Sequence, residues 1–116
     1  MVLREKGKKM NRKSKKDING HLCVRENIAG NVYYRSVKTN AIRLIIYSHG
    51  TEVWYSSSRL HRLNGPAVIY VDGTEGWYKN GARHRDKGPA VILPNGTKEY
   101  WKRGILIATR YPKGSK

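Results

Sequence analysis

Gly50, Gly73 and Gly96 lie twenty-three residues apart, and each opens a Gly-Thr followed by an aromatic pair: "GTEVWY", "GTEGWY" and "GTKEYW". His61-Arg62 and His84-Arg85 keep the same interval, as do the "GPAVI" runs that start at Gly65 and Gly88. A fainter earlier copy is visible in "AIRLIIYSHGT", which aligns with "GPAVIYVDGT", and in "GNVYY" from Gly30. A fixed interval of this length is the signature of a repeat architecture, in which each unit buries its apolar face only against its neighbours. The units fall near residues 18–48, 49–71, 72–94 and 95–111.

Turn chemistry sets an expected register. "VDGT" puts Asp72-Gly73 in the two-residue position that favours a type I′ turn, and "PNGT" does the same with Asn95-Gly96. That turn sets Val71 opposite Thr74, Tyr70 opposite Glu75, Ile69 opposite Gly76 and Val68 opposite Trp77. A second such turn in "KNGA", at Asn80-Gly81, brings His84 opposite Trp77. The "DKGP" and "RLNGP" stretches become connectors, where Pro66 and Pro89 cost no ladder hydrogen bond.

Alternation along the strands then sorts the aromatic residues. Trp54, Trp77 and Tyr100 are expected on one face with Val68, Tyr70, Val91 and Leu93. Tyr55, Tyr78 and Trp101 are expected on the other with Ile46, Ile69 and Ile92. Both faces are apolar, so the sheet must curl around a core, or one face must be covered by residues 18–40 or by another molecule. Only "DINGHLCVRENIAG" has an ambiguous period. The fold class is all-β, an antiparallel meander of 23-residue hairpin repeats with a basic N-terminal arm.

The chain has 116 residues, enough for one domain with a modest core. It has no Phe but eight Tyr and three Trp, rings that suit a thin sheet because their polar tips reach water. Twenty-four Lys and Arg against eight acids give a formal charge of +16, which favours a polyanionic partner: nucleic acid, an anionic membrane surface or an acidic protein. The lone Cys23 excludes an internal disulfide framework and fits a reducing compartment. No apolar run approaches the ~20 residues of a membrane span, and the N-terminus has no signal-peptide core. Those features point to the cytoplasm, a host's if the source is viral.

Residues 1–17 form the arm. Arg4, Lys6, Lys8, Lys9, Arg12, Lys13, Lys15 and Lys16 oppose Glu5 and Asp17, with too few apolar groups to offset the cost of ordering. "KKMNRKSKK" has the composition of a nucleic-acid-binding arm, or of a nuclear-localisation segment if the source is eukaryotic.

The unit "DGTEGWYKNGARHRDKGPAVI" resembles the divergent MORN-type repeats of bacteriophage, large-virus and bacterial proteins. The resemblance covers roughly residues 42–108 and, more weakly, 18–41. It implies strand-pair units stacked into an elongated or twisted antiparallel sheet, and a binding or scaffolding role; some bacterial relatives look like antitoxins. The better-known pattern, "YxGxxxxGxxHGxG", has Gly after His where this chain has Arg62 and Arg85. That departure weakens the inference to the phosphoinositide-contacting or membrane-scaffold roles proposed for conventional members.

Several residue sets could carry function. The His-Arg pairs could offer guanidinium forks to phosphate. The bland reading packs each His on its paired Trp and bonds it to the connector backbone. Repetition favours that structural role for the histidines, and Ile107-Ala108 at the third position has the look of a capping unit. A ribonuclease-like toxin could use His84 as general base and Arg85 or Lys87 to stabilise the phosphorane. Yet these candidates belong to the repeat and not to one unique constellation. His21 and Cys23 fall short of the four ligands zinc takes, so no metal or cofactor is expected.

A single-strand platform could be built from Trp54, Trp77 and Tyr100 with Lys79, Arg83, Lys98 and Lys102. Packing is the simpler role for Trp54 and Trp77, while Tyr33, Tyr34 and Tyr111 have less packing logic. The leading expectation is a non-enzymatic module that binds nucleic acid or a nucleoprotein complex through its backbone. The arm would supply phosphate contacts with Arg59, Arg62, Arg83, Arg85, Lys98, Lys102 and Arg103. The alternative is a small phage-type inhibitor or scaffold that docks a protein, such as an acidic host protein, through Tyr55, Tyr78 and Trp101.

Overall fold

A computed structural model describes residues 15–113. Among them the chain is all-β, with no helix. The N-terminal strands are β1 (Lys15–Ile18), β2 (His21–Ile28), β3 (Asn31–Ser36), β4 (Ile42–Ile46) and β5 (Glu52–Ser56). Short strands follow: β6 (Arg59–Leu60), β7 (Val68–Ile69), β8 (Glu75–Gly76), β9 (Tyr78–Lys79), β10 (Ala82–Arg83) and β11 (Val91–Ile92). The last hairpin is β12 (Lys98–Lys102) with β13 (Ile105–Arg110).

All pairings are antiparallel, and the main sheet runs β1-β2-β3-β4-β5-β7-β8-β11-β12-β13, with β6 beside β5 and β9–β10 as a separate ribbon. The described residues extend 65 × 26 × 19 Å. Ten strands at about 4.8 Å spacing account for most of that length, so the units stack along the long axis. The "DINGHLCVRENIAG" stretch resolves into the β1–β2 hairpin, closed at Asn19-Gly20. Strand pairing therefore begins at Lys15, inside the stretch read as arm.

Two kinds of turn recur. Asn19-Gly20, Ala29-Gly30, Ser57-Ser58, Asn80-Gly81 and Arg103-Gly104 all have positive φ at both residues, the requirement of a type I′ turn. Asn80-Gly81 joins Lys79 to Ala82, and the His84 amide donates to the Trp77 carbonyl at 3.0 Å, as the sequence predicts.

The Gly50, Gly73 and Gly96 turns differ from expectation. The Tyr70 amide donates to the Thr74 carbonyl and the Gly73 amide to the Tyr70 carbonyl, both at 2.9 Å, which closes a three-residue loop. Tyr47–Thr51 and Leu93–Thr97 repeat it. Asp72 stays out of the positive-φ region, with its carboxylate accepting the Thr74 amide at 2.8 Å, and Gly73 alone takes the left-handed position at φ +95°.

The extra loop residue shifts the register by one, so Ile69 faces Glu75 and Val68 faces Gly76. The expected faces are corrected accordingly. Ile46 and Ile69 both face Glu52, on the side of Leu44 and its partner Trp54, while Ile45, Val53, Val68, Gly76 and Val91 share the opposite side.

The core runs from the N-terminal strands into the first repeat: Ile18, Cys23, Tyr34, Leu44, Trp54 and Ala67 form one cluster, with Val32, Ile46 and Tyr78 packed against it. Residues 18–40 thus help to bury the Trp54 side. Tyr34 is a core residue and not one of the freer rings. The units at 49–71 and 72–94 each cover their own tryptophan, Trp54 and Trp77, with an arginine of the connector.

Candidate nucleic-acid interface

The connectors carry the repeated chemistry. The Arg62 guanidinium carbon lies 3.7 Å from the Trp54 ring centroid, and Arg85 lies 3.7 Å from that of Trp77. Each fork is held by its own connector: Arg62 Nη1 donates to the Pro66 carbonyl at 3.2 Å, and Arg85 Nη1 to that of Pro89 at 3.1 Å. A side chain on Gly65 would start 2.9 Å from the Arg62 guanidinium carbon, and one on Gly88 would start 3.1 Å from that of Arg85. Only glycine lets the backbone close over the fork. Burial pulls the Arg62 pKa below its ordinary value, with Glu52 opposing the shift.

The histidines join successive units instead of packing on the tryptophans, which corrects the expected arrangement. His61 Nδ1 accepts the Asn80 amide at 3.2 Å, and His84 Nδ1 accepts the Arg103 amide at 2.9 Å. Each partner is the first residue of the next unit's type I′ turn. An Nδ1 that accepts leaves the proton on Nε2, and His84 Nε2 lies 2.7 Å from Asp86 Oδ1. That bond holds the Asp86 carboxyl below its ordinary value. His84 therefore has no lone pair free to act as a general base in this arrangement.

A row of depressions runs over these connectors. One, of about 680 Å³, lies between the two connectors and is floored by Trp77 and Tyr78. It shares Arg62, Leu63 and Asn64 with a second of about 330 Å³ that reaches Lys16. It shares Lys79, His84 and Asp86 with a third of about 340 Å³ that reaches Arg103. Among the described residues, six cations (Lys16, Arg62, Lys79, Arg85, Lys87 and Arg103) line the continuous groove against the carboxylates of Asp17 and Asp86. Lys16, Lys79, Lys87 and Arg103 are exposed.

The expected phosphate residues separate into groups. Arg62 and Arg85 line the groove but are committed to the stacks. Lys16 and Arg103 line it and are exposed. Lys102 Nζ donates to the Arg85 and Asp86 carbonyls, both at 2.6 Å, and so ties the last unit to its neighbour. Arg83 covers the Trp101 ring at 4.8 Å and donates to the Tyr78 hydroxyl at 3.3 Å. Arg59, Lys98 and Lys15 are exposed but lie outside the groove. Arg4, Lys6, Lys8, Lys9, Arg12 and Lys13 lie outside the described residues.

Of the proposed protein-contact rings, Tyr78 packs on the core, Trp101 donates to Glu99 at 2.9 Å beneath Arg83, and Tyr55 is half-buried. Lys79 and Lys87 belong to the groove although the phosphate set omitted them. Their signal was the interval: Lys79 is twenty-three residues from Lys102, and Lys87 the same from Arg110. Among the described residues no group of three or more His, Cys, Asp or Glu side chains is placed to hold a metal. Among the described residues no helix is long and apolar enough to cross a membrane.

No protein-family model matches the chain, and no curated protein sequence matches it.

Proposed function

We propose that the protein is a non-enzymatic binding module that holds nucleic acid, or the exposed nucleic acid of a nucleoprotein complex, by its phosphate backbone. The observation that carries this reading is the groove with six cations against two carboxylates, in a chain of net charge +16. Exposed Lys16, Lys79, Lys87 and Arg103 are the phosphate contacts, and the basic residues 1–14 add to them. The resemblance to MORN-type repeats supports a binding role over a catalytic one, as do the occupied histidine lone pairs.

Stacked bases are not part of this reading, because Arg62 and Arg85 already cover Trp54 and Trp77. Recognition is therefore of charge and shape, without base sequence.

The test is fluorescence anisotropy with labelled single-stranded RNA, single-stranded DNA and duplexes, between about 50 and 200 mM salt. Affinity is expected to fall with a slope of about −0.7 to −0.9 per phosphate neutralised. Replacing Lys79, Lys87 or Arg103 by Ala should each reduce the slope by about one. Salt-independent binding, or a slope indifferent to all three substitutions, overturns the reading.

A further inference from the structure

The last strand ends the sheet in a way the other units do not. In the units at 49–71 and 72–94 the chain leaves the type I′ turn, makes the His-Arg connector and returns as a short strand that the next unit covers. In the last unit Ile107-Ala108 replaces His-Arg, so the hairpin runs on: β13 pairs with β12 from Lys102–Ile105 to Lys98–Arg110, with a bulge at Tyr100 and Trp101. Among the described residues β13 has no partner on its other side.

Its outer edge is apolar as well as open. Ile105, Leu106 and Ile107 are 66%, 47% and 59% exposed, and Tyr111 beyond them is 71% exposed. A row of unpaired backbone groups on an apolar strand is a template for another strand. The pair that flanks a two-residue turn is hydrogen-bonded, so Lys102 and Ile105 bond each other and the next residue, Leu106, turns its N–H and C=O outward. The Glu99 carbonyl accepts from Ala90 on the other side, so its opposite residue, Thr109, also faces outward.

The charge around this edge selects the occupant. Lys98, Arg110 and Lys113 are exposed there, and the only acid between Lys98 and Lys113 is Glu99, whose carboxylate accepts from Trp101. Lys98 and Arg110 stand directly opposite each other. Like charges in that position destabilise a hairpin unless an anion lies between them. A second copy of this chain would bring the same cations onto these, and nucleic acid would leave the three apolar side chains in water.

We propose that β13 is a docking edge for an extended, acidic segment of a partner protein, which adds to the sheet as an antiparallel strand with its carboxylates at Lys98 and Arg110. Main-chain bonds to Leu106 and Thr109 give affinity, and Ile105 and Ile107 take the partner's apolar side chains. The proposal is independent of the groove, which lies over the connectors.

The test uses the full chain and a labelled strand-forming peptide that alternates valine or threonine with glutamate, against the same peptide with lysine for glutamate. The acidic peptide should bind saturably, and the lysine peptide should not. Leu106→Pro removes an outward donor without removing a ladder bond, a change edge strands accept, and should weaken peptide binding about tenfold or more. Arg110→Glu should weaken it too. In the unaltered protein, amide hydrogen exchange at Leu106 and Thr109 should slow when the peptide is added, a readout that stands even if a variant fails to fold.

Equal binding of both peptides, unchanged exchange at these amides, or unchanged affinity of a folded Leu106→Pro protein overturns the proposal. So does a concentration-dependent dimer broken by Leu106→Pro, which would make the occupant a second copy. RNA that protects these amides when the peptide does not would make it a nucleic acid.

Discussion

Arg85 lies 3.7 Å over the centroid of Trp77, fixed between the indole and the backbone of Gly88, and it donates to Pro89. The flat guanidinium covers a ring that would otherwise be wet and spends part of its fork on a carbonyl that has no strand partner. Lysine offers neither the plane nor the fork. Arg85→Lys is therefore expected to cost about 1–2 kcal/mol of stability, read from the urea midpoint, and to alter the salt slope of the proposed nucleic-acid binding less than Lys87→Ala does. A variant of unchanged stability that loses RNA affinity would make Arg85 a phosphate contact and not a structural one.

Gly88 is the other half of that arrangement. Its φ of +120° is one that side chains rarely adopt, and a Cβ there would meet the Arg85 guanidinium carbon at 3.1 Å. Gly88→Ala should cost roughly 1–3 kcal/mol through backbone strain, with a further loss as Arg85 is pushed off the ring. Gly73→Ala is the useful comparison. Its φ is +95° but no atom lies within 4 Å of an added Cβ, so it should show the strain without the displacement. Near-ultraviolet circular dichroism of the tryptophans separates the two, with a change expected for Gly88→Ala only.

Much of this was legible from spacing, and the departures have physical causes. The 23-residue interval reports where a unit repeats, the alternation within each unit gives the all-β class, and the Asn80-Gly81 dipeptide gives the type I′ turn and the pairing of His84 with Trp77. The interval does not say which of two adjacent repeated residues points inward. His61-Arg62 reads equally well with either on the ring, and the outcome depends on Gly65 letting the backbone approach the guanidinium. Asp-Gly is likewise compatible with a two-residue turn and with the end of a three-residue loop. The Asp72 carboxylate supports the three-residue loop by capping the Thr74 amide, an interaction invisible to a pattern of apolar residues. In the groove, Lys79 and Lys87 converge because the connectors stack, which places together side chains that lie apart in the sequence.

His84 tests how strongly the units are coupled. Its Nδ1 accepts the amide of Arg103, and the neighbouring Gly104 amide donates to the Arg83 carbonyl at 2.8 Å. His84→Phe keeps a ring but strands the Arg103 N–H, so about 1–3 kcal/mol of stability should be lost. His84→Gln, which can offer an oxygen, should recover part of it. Hydrogen exchange at Arg103 is the decisive readout. It should accelerate in the Phe variant while amides in β2 and β3 hold their rates, because those strands lie at the far end of the sheet. Uniform acceleration along the chain would mean that the repeats unfold with the N-terminal strands as one unit.

The behaviour at high pH should reveal the N-terminal core. Cys23 is fully buried beside Ile18 and Tyr34, and burial raises its thiol above the ordinary 9.0 against the opposing charge of Arg43. Tyr55 is raised above 10.0, first by burial and then by Tyr47. For both groups the unfolded chain releases its proton at lower pH than the folded one. Stability is therefore fully present below the unfolded values and is lost as pH rises through the folded values, beginning above about 9. Urea midpoints measured from neutral pH upward should stay level and then fall in two overlapping stages, the thiol first and the phenol after it. Cys23→Ala lowers the whole curve because it removes buried volume, so the shape is what matters. The variant should lose the first stage and keep the second. Parallel curves for the two proteins would show that the thiol does not cause the decline.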